Sequence, residues 1–158
     1  RPVPVNFSNL REPRRDMIWV ALAGPVTNFT LAAACALLLR VLAPLAAGGA
    51  SGGISALLEP LLLMAGFGLY INVILAVFNL LPVPPLDGGR VLVGLLPPRQ
   101  AEVVARIEPF GFLVILFLIF FTELWSRLLS PVIAALVAVL AGPQMGLVER
   151  VMSFLFGR

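Results

Sequence analysis

The long apolar runs of this sequence are its strongest constraint on folding. Residues 17–39 and 56–80 form two runs long enough to cross a bilayer, which takes about 20 residues of helix. Two shorter runs follow, over residues 109–122 and 128–142. With 60% hydrophobic and 12% charged residues, a water-soluble core could not enclose this much apolar surface. The sequence therefore predicts an all-α polytopic membrane protein, a bundle of about four apolar helices.

We interpret residues 1–158 as a single membrane domain with three parts. Residues 1–16 form a basic lead-in with three prolines, and it is predicted to be extended because proline disfavours helix before it. Residues 17–142 are predicted to hold the membrane helices and their loops. Residues 143–158 place apolar side chains at helical spacing, which predicts a C-terminal amphipathic helix at the membrane interface.

Several features of the membrane region allow more than one outcome. Gly24-Pro25 lies within the first run and predicts either a kink or a helix start there, and Arg40 is expected to reach the headgroups at its end. The small, uncharged residues 43–55 are predicted to form a flexible loop. As helices the two shorter runs would reach only about 21 to 23 Å, so thin spans, interfacial ends and a re-entrant hairpin are all compatible with them.

The distribution of arginine predicts the orientation of the chain. Arginines are abundant before the first run and in the charged loop predicted over residues 82–108, and absent from residues 43–55. By the positive-inside rule the N-terminus and residues 82–108 are expected to be cytoplasmic. The net charge of +3 is spread over short loops rather than one face, so the lipid bilayer is an expected partner and nucleic acid is not.

Three asparagines inside the long apolar runs need an explanation, because unpaired polar groups are costly within a membrane. Asn28 lies in the first run, and Asn72 and Asn79 lie in the second. Asn72 and Asn79 are seven residues apart and share a helix face. For Asn72, a hydrogen bond between helices is the simplest interpretation.

The second run ends in an unusual segment, NLLPVPPLDGGR, over residues 79–90. It contains three prolines that cannot continue a helix, Pro82, Pro84 and Pro85. Gly88 and Gly89 then permit positive φ and a tight turn beside the carboxylate of Asp87. Irregular backbone at the bilayer edge is tolerated where it is buried in protein or lines a wet cavity. An ordinary cytoplasmic turn is the alternative interpretation.

The motif N-x-x-P-x-P-P-L-D-G-G over residues 79–89 resembles N-x-x-P-x-P-x-L-D-G-G of the site-2 protease family, the intramembrane zinc metalloproteases of peptidase family M50. Residues 23–28, A-G-P-x-x-N, resemble a second element of its small bacterial and archaeal members. The lead-in, RPVPVN followed by NLREPRRDM, is similar to the segment that precedes this element there. The likeness covers residues 1 to about 110 and implies a multipass protein of a prokaryotic cell membrane.

The resemblance implies roles for individual residues. Asp87 matches the aspartate that binds Zn²⁺ together with two histidines, with a fourth position open to water. Asn79 matches the motif asparagine, for which contact with substrate or oxyanion is expected, and Asn28 matches one expected to orient helices or backbone near the site. The residues expected to support the turn are Pro82, Pro84, Gly88 and Gly89.

The resemblance also shows what this chain lacks. In the family the two histidines and the glutamate base come from an H-E-x-x-H motif upstream of the PVPVN region, whereas this chain contains no histidine and begins at that region. We therefore expect the chain to be the C-terminal part of a zinc-dependent protease that cleaves in or near transmembrane segments of membrane proteins. The 158 residues alone are predicted to be inactive.

Two non-enzymatic functions remain compatible with the sequence. Helices broken near residues 24 and 82, with asparagines at membrane depth, suit a transporter or channel component, although the chain is short and has no internal repeat. A catalytically inactive scaffold would bind membrane partners without zinc.

Overall fold

The computed structural model describes residues 13–48 and 52–156, and these two ranges fold into helices with short connections. The α-helices are α1 (Pro13–Ala47), α2 (Gly52–Asn79), α3 (Asp87–Leu95), α4 (Pro98–Ala105), α5 (Gly111–Phe121), α6 (Ser130–Ala141) and α7 (Met145–Phe156). The shorter helical pieces are a 3-10 turn at Glu108–Phe110, a π-helical turn at Trp125–Leu129 and a 3-10 turn at Gly142–Gln144. Neither described range contains a strand, and the predicted all-α class is confirmed.

Within residues 13–48 and 52–156, four helical stretches are long and apolar enough to cross a membrane. They are Arg14–Ala47, Leu57–Asn79, Pro98–Phe121 and Trp125–Phe154. The last two have 24 and 30 residues, because short helices follow one another almost without interruption. The multipass bundle is thus confirmed, and the alternatives for the two shorter apolar runs, which are thin spans, interfacial ends and a re-entrant hairpin, stay predictions.

Helices α1 and α2 pack along each other and provide most of the core. Their buried residues in this core include Ala32, Ala36, Leu39, Ala65, Leu69 and Val73, and α6 adds Ile133 and Val137. The α1–α2 pair approaches closely at Gly68, where a Cβ atom would lie 2.8 Å from Sγ of Cys35. Small residues let helix backbones approach this closely. The van der Waals contacts that result are a main source of association energy between helices in lipid.

The N-terminal helix differs from its prediction at both ends. The predicted extended lead-in is wrong for residues 13–16, which begin α1, and its first 12 residues lie outside the described ranges. Proline suits the first turn of a helix, where its missing N–H has no partner to lose. The predicted loop over 43–55 is helical over 43–47 and 52–55. The three alanines of residues 43–47 have high helix propensity, whereas residues 52–55 contain no alanine and become the first turn of α2.

The interior of α1 also contains two residues that were expected at helix ends. Pro25 lies within the continuous helix, so a helix start at Gly24-Pro25 is wrong. Arg40 also lies inside α1, and its guanidinium donates a hydrogen bond to the carbonyl of Leu140 at the C-terminal end of α6 (2.9 Å). Arg40 thus connects α1 to α6.

The charged segment 82–108 is folded rather than a loop. Most of it forms α3 and α4, and α4 begins with Pro98 at its first position, where proline is favourable. Arg106 pairs with Glu102 one turn earlier (2.8 Å). The sequence prediction counted charges and missed that both short helices are amphipathic.

Helix α7 has the apolar face that was predicted for the tail. Val148 and Val151 are buried and Met152 is half-buried. Val151 packs against α2 at Gly66, where a Cβ atom would lie 3.0 Å from its Cγ2. The apolar face is thus covered in part by the bundle, and the interfacial position of this helix stays a prediction.

Candidate functional site

The connection between α2 and α3 contains the break that the prolines predict. α2 ends at Asn79. The N–H of Leu86 then donates to the carbonyl of Val83 (3.0 Å), and the Pro84–Pro85 peptide bond inside this turn is cis. The helical path is therefore interrupted over a few residues, and a new helix starts directly after the interruption.

Asp87 is the first residue of that new helix. Leu86 before it is extended (φ −67°, ψ 159°), and α3 begins at Asp87. A carboxylate in the first turn is stabilised by the helix dipole, typically by about 0.3–1 kcal/mol. The side chain is half-buried and makes no hydrogen bond or ion pair within the described ranges, so its oxygens are available to a ligand.

The carboxylate of Asp87 lies directly against α1 at Gly24. A Cβ atom on Gly24 would overlap Oδ2 of Asp87 and lie 3.5 Å from its Cγ. Any side chain at position 24 would therefore displace the carboxylate or push the helices apart. The two sequence elements that were singled out separately, A-G-P-x-x-N and L-D-G-G, meet at this contact.

Gly88 and Gly89 are required by close approach and not by backbone conformation. Both are buried in the first turn of α3, and neither has a positive φ, so that part of the prediction is wrong. A Cβ atom on Gly88 would overlap the carbonyl of Leu80, and one on Gly89 would overlap the backbone nitrogen of Pro84. The first turn of α3 thus packs on the backbone of the α2–α3 connection.

Helices α1 and α5 pack against α3 and against the α2–α3 connection. At the far end of α3, a Cβ atom on Gly94 would lie 2.6 Å from Cγ1 of Ile18 in α1. With the contact at Gly24, this shows that α3 runs antiparallel to the first half of α1. Gly111, at the start of α5, is buried against Pro84, whose carbonyl oxygen a Cβ atom would overlap.

The two asparagines assigned to the site lie on helices α1 and α2, which flank the Asp87 turn. Asn28 follows Gly24 by one helical turn and therefore shares its face of α1, and Asn79 is the last residue of α2. Both are half-buried, and neither side chain makes a hydrogen bond within residues 13–48 and 52–156. The structure brings Gly24 to Asp87, and it forms no hydrogen bond between Asp87 and either amide.

The remaining predicted residues divide into two groups. Asn72 donates a hydrogen bond to the carbonyl of Gly68 in its own helix (2.8 Å), so the bond between helices is wrong for it. A local carbonyl satisfies the amide without a neighbouring helix.

Pro84 is buried in the α2–α3 connection, whereas Pro82 is exposed.

The donor set in these residues does not fit a zinc ion. Catalytic zinc takes three protein ligands with nitrogen, oxygen or sulfur donors. In the described part of the chain no three His, Cys, Asp or Glu side chains lie together, and the sequence contains no histidine. Asp87 can supply one ligand, and the others would have to come from outside these residues.

Sequence reasoning missed two contacts of the site. Gly24 was interpreted as a source of helix bending, although a small residue inside an apolar helix is also a signal of close helix approach. No signal was available for Gly111, because its contact with Pro84 depends on where α5 begins in three dimensions.

Comparison with known proteins agrees with the sequence motifs. The chain is 37% identical over 135 residues to a Bacillus subtilis (strain 168) protein named "Putative zinc metalloprotease YwhC", with 85% of this chain and 59% of that protein aligned. It is 40% identical over 74 residues to a Methanocaldococcus jannaschii protein named "Putative zinc metalloprotease MJ0611", with 46% of this chain and 31% of that protein aligned. The chain thus spans less than two thirds of the length of either relative. No solved structure gives a significant match.

The sequence model of one family, described as "Peptidase family M50", matches residues 5–122. This range includes both the Gly24 element and the Asp87 element, and in the structure the Asp87 carboxylate lies against the backbone at Gly24. It also covers most of the 158 residues. The chain belongs to peptidase family M50.

Proposed function

We propose that this chain supplies the aspartate ligand of the zinc site of an intramembrane metalloprotease, and that the other ligands and the general base lie outside these 158 residues. Three findings support the proposal: the family match, the names of the two relatives, and the multipass apolar fold. The main support for the proposal is the contact between Asp87 and Gly24. It brings the two sequence elements of the family together at a carboxylate that has no partner in the described ranges.

The contribution of this chain is to hold that carboxylate in one position. Asp87 starts a helix whose first turn is fixed by Gly88 and Gly89 against the connection, and its Oδ2 rests on α1. A ligand held by surrounding backbone loses little freedom on binding a metal, and this favours affinity and a defined geometry. The remaining metal donors are not among the described residues, so these residues alone do not complete a catalytic zinc site.

The two asparagines are proposed to act beside the carboxylate. An amide can donate to a carbonyl or oxyanion and accept from a backbone N–H, so the unpaired side chain of Asn79 suits contact with substrate. Asn28, one turn from Gly24, suits a role in orienting helices or backbone. Both assignments rest on the family resemblance and on amides without a partner in the described ranges.

The proposed substrate is a transmembrane or membrane-proximal segment of another membrane protein, in the cell membrane of a prokaryote. The proposed orientation has the N-terminus and residues 82–108 on the cytoplasmic side, because arginines concentrate there. Asp87 would then lie near the cytoplasmic face. The bilayer and the substrate are the proposed partners, and nucleic acid is not.

The test uses the intact protein that carries this chain, reconstituted in lipid nanodiscs with a library of single-span peptides. Asp87→Asn is compared with Asp16→Asn, because both aspartates occupy the first turn of a helix. Mass spectrometry of the peptides should show cleavage by the wild type and by Asp16→Asn. We expect a reduction of at least about a hundredfold for Asp87→Asn, similar to the loss of one key group in other active sites.

The same experiment separates the alternatives. Equal cleavage by Asp87→Asn and the wild type would rule out a ligand role for Asp87. An intact protein that binds partners but cleaves no peptide and holds no zinc would be a scaffold, and zinc-independent movement of a solute would indicate a transporter. The 158-residue chain alone is expected to cleave nothing.

A further inference from the structure

Helices α2, α6 and α7 surround an open cavity of about 760 Å³ that takes no lining residue from α1 or α3. α7 approaches α2 closely where Val151 meets Gly66, and neither of these two residues lines the cavity. Its volume is within the range of small-molecule sites, roughly 300–1,000 Å³. The cavity shares no residue with the Asp87 turn, so it requires its own explanation.

Most of the cavity wall is apolar. Ile133, Val137 and Val148 line it and are themselves buried, and Met152 and Ile74 extend the same surface. Such a wall accepts an alkyl chain but binds it little better than the surrounding lipid does, because lipid tails are equally apolar. Selectivity must therefore come from the head group. A small hydrated ion would gain nothing from it.

One charged side chain, Glu149 of α7, lines this apolar cavity. It belongs to none of the ion pairs formed within the described ranges, and no lysine or arginine lines the cavity with it. Ser153, also in the lining, donates its hydroxyl hydrogen bond to the carbonyl of Arg150 (2.9 Å) and does not compensate the charge. Glu149 is itself exposed, so the lining includes one solvent-accessible carboxylate that pairs with no cation in the described ranges.

Two aromatic side chains line the same cavity. Tyr70 comes from α2 and is the only tyrosine of the sequence, and Trp125 comes from the π-helical turn before α6. Indole and phenol rings attract organic cations through their faces, and trimethylammonium groups are bound this way in aromatic cages. Aromatic rings, a carboxylate and an apolar wall together match a cation with an apolar body.

We propose that this cavity binds an amphiphile with an ammonium head group, whose head lies among Glu149, Tyr70 and Trp125 and whose alkyl chain lies along α6 and α7. Glu149 disfavours anionic amphiphiles, and one carboxylate among apolar side chains is a poor site for a metal ion, which needs several oxygen ligands. This binding is independent of the metal and of peptide hydrolysis.

The test follows the tryptophan fluorescence of the intact protein in a Trp19→Phe background, and the Trp125→Phe variant of that background identifies the signal of Trp125. The intact protein in a neutral maltoside micelle is titrated with octyltrimethylammonium and, separately, with octyl sulfate. We expect saturable binding of the ammonium ion only. Glu149→Gln should weaken it roughly fivefold, the contribution of one solvent-accessible charge pair.

Glu59→Gln is the matched control, because Glu59 is an exposed carboxylate of α2 outside the cavity lining. It should bind octyltrimethylammonium as tightly as its Trp19→Phe parent. Equal affinity of Glu149→Gln and Glu59→Gln, or equal binding of octyl sulfate and octyltrimethylammonium, would overturn the proposal. In nanodiscs, displacement of the probe by phosphatidylethanolamine would assign the site to a lipid head group, and lack of displacement to a soluble amphiphile.

Discussion

At the scale of single residues, the candidate site depends on side chains that are absent. Oδ2 of Asp87 occupies the space that a Cβ atom at Gly24 would need, and Gly88 and Gly89 leave room for the carbonyl of Leu80 and the nitrogen of Pro84. The sequence showed that these glycines are unusual but suggested positive φ as the reason for Gly88 and Gly89. Close packing between segments far apart in sequence depends on the fold, and residue type alone does not reveal it.

Gly24→Ala should displace the Asp87 carboxylate and lower the zinc affinity of the intact protein by about 10- to 100-fold, the usual effect of disturbing the support of a metal ligand. The measurement is competition with a chelator of known affinity. Gly146→Ala is the control, because a Cβ atom there meets nothing within 4 Å. Equal affinities of the two alanine variants would show that the Gly24 contact does not position the ligand.

Gly88→Ala should destabilise the chain by roughly 1–3 kcal/mol, because the added methyl group overlaps the carbonyl of Leu80 and forces backbone movement. The free energy of unfolding is measured by denaturation in mixed micelles, again with Gly146→Ala for comparison. If both variants were equally stable, the packing of α3 on the connection would be looser than described.

At the scale of elements, apolar periodicity predicted long helices well and short ones poorly. The end of α2 near residue 80 followed from the prolines, and the structure places it at Asn79. The charged segment 82–108 was expected to be a loop, yet it forms α3 and α4. Helices of nine and eight residues are marginal alone and form here because α3 packs on α1, a contact that no local pattern specifies.

Arg40 is predicted to dock α6 on α1. Its guanidinium donates to the carbonyl of Leu140 near the negative end of the α6 dipole, so Arg40→Met should cost roughly 1–2 kcal/mol. Hydrogen exchange measured by mass spectrometry should then be faster in the peptide that contains Leu140. Arg150→Met, on α7, should leave that peptide unchanged, and identical exchange in both variants would contradict the docking role.

At the scale of the whole molecule, the number of membrane helices and the family followed from composition and three short motifs. Within the part of the chain that the structure describes, the Asp87 carboxylate starts a helix and has no partner, which explains how the motif can present a metal ligand. The same residues include no group of further metal donors, so they do not complete a zinc site. The charged cavity between α2, α6 and α7 had no sequence signal, since its lining residues come from separate helices and are ordinary within each of them.

The zinc content of the intact protein tests the central claim most directly. After dialysis against a chelator, elemental mass spectrometry should find one zinc per protein in the wild type and in Asp16→Ala. Asp87→Ala should retain at least about tenfold less, because loss of a direct ligand weakens a site at least as much as loss of its support. Full zinc occupancy in Asp87→Ala would contradict the assignment of Asp87 as a zinc ligand.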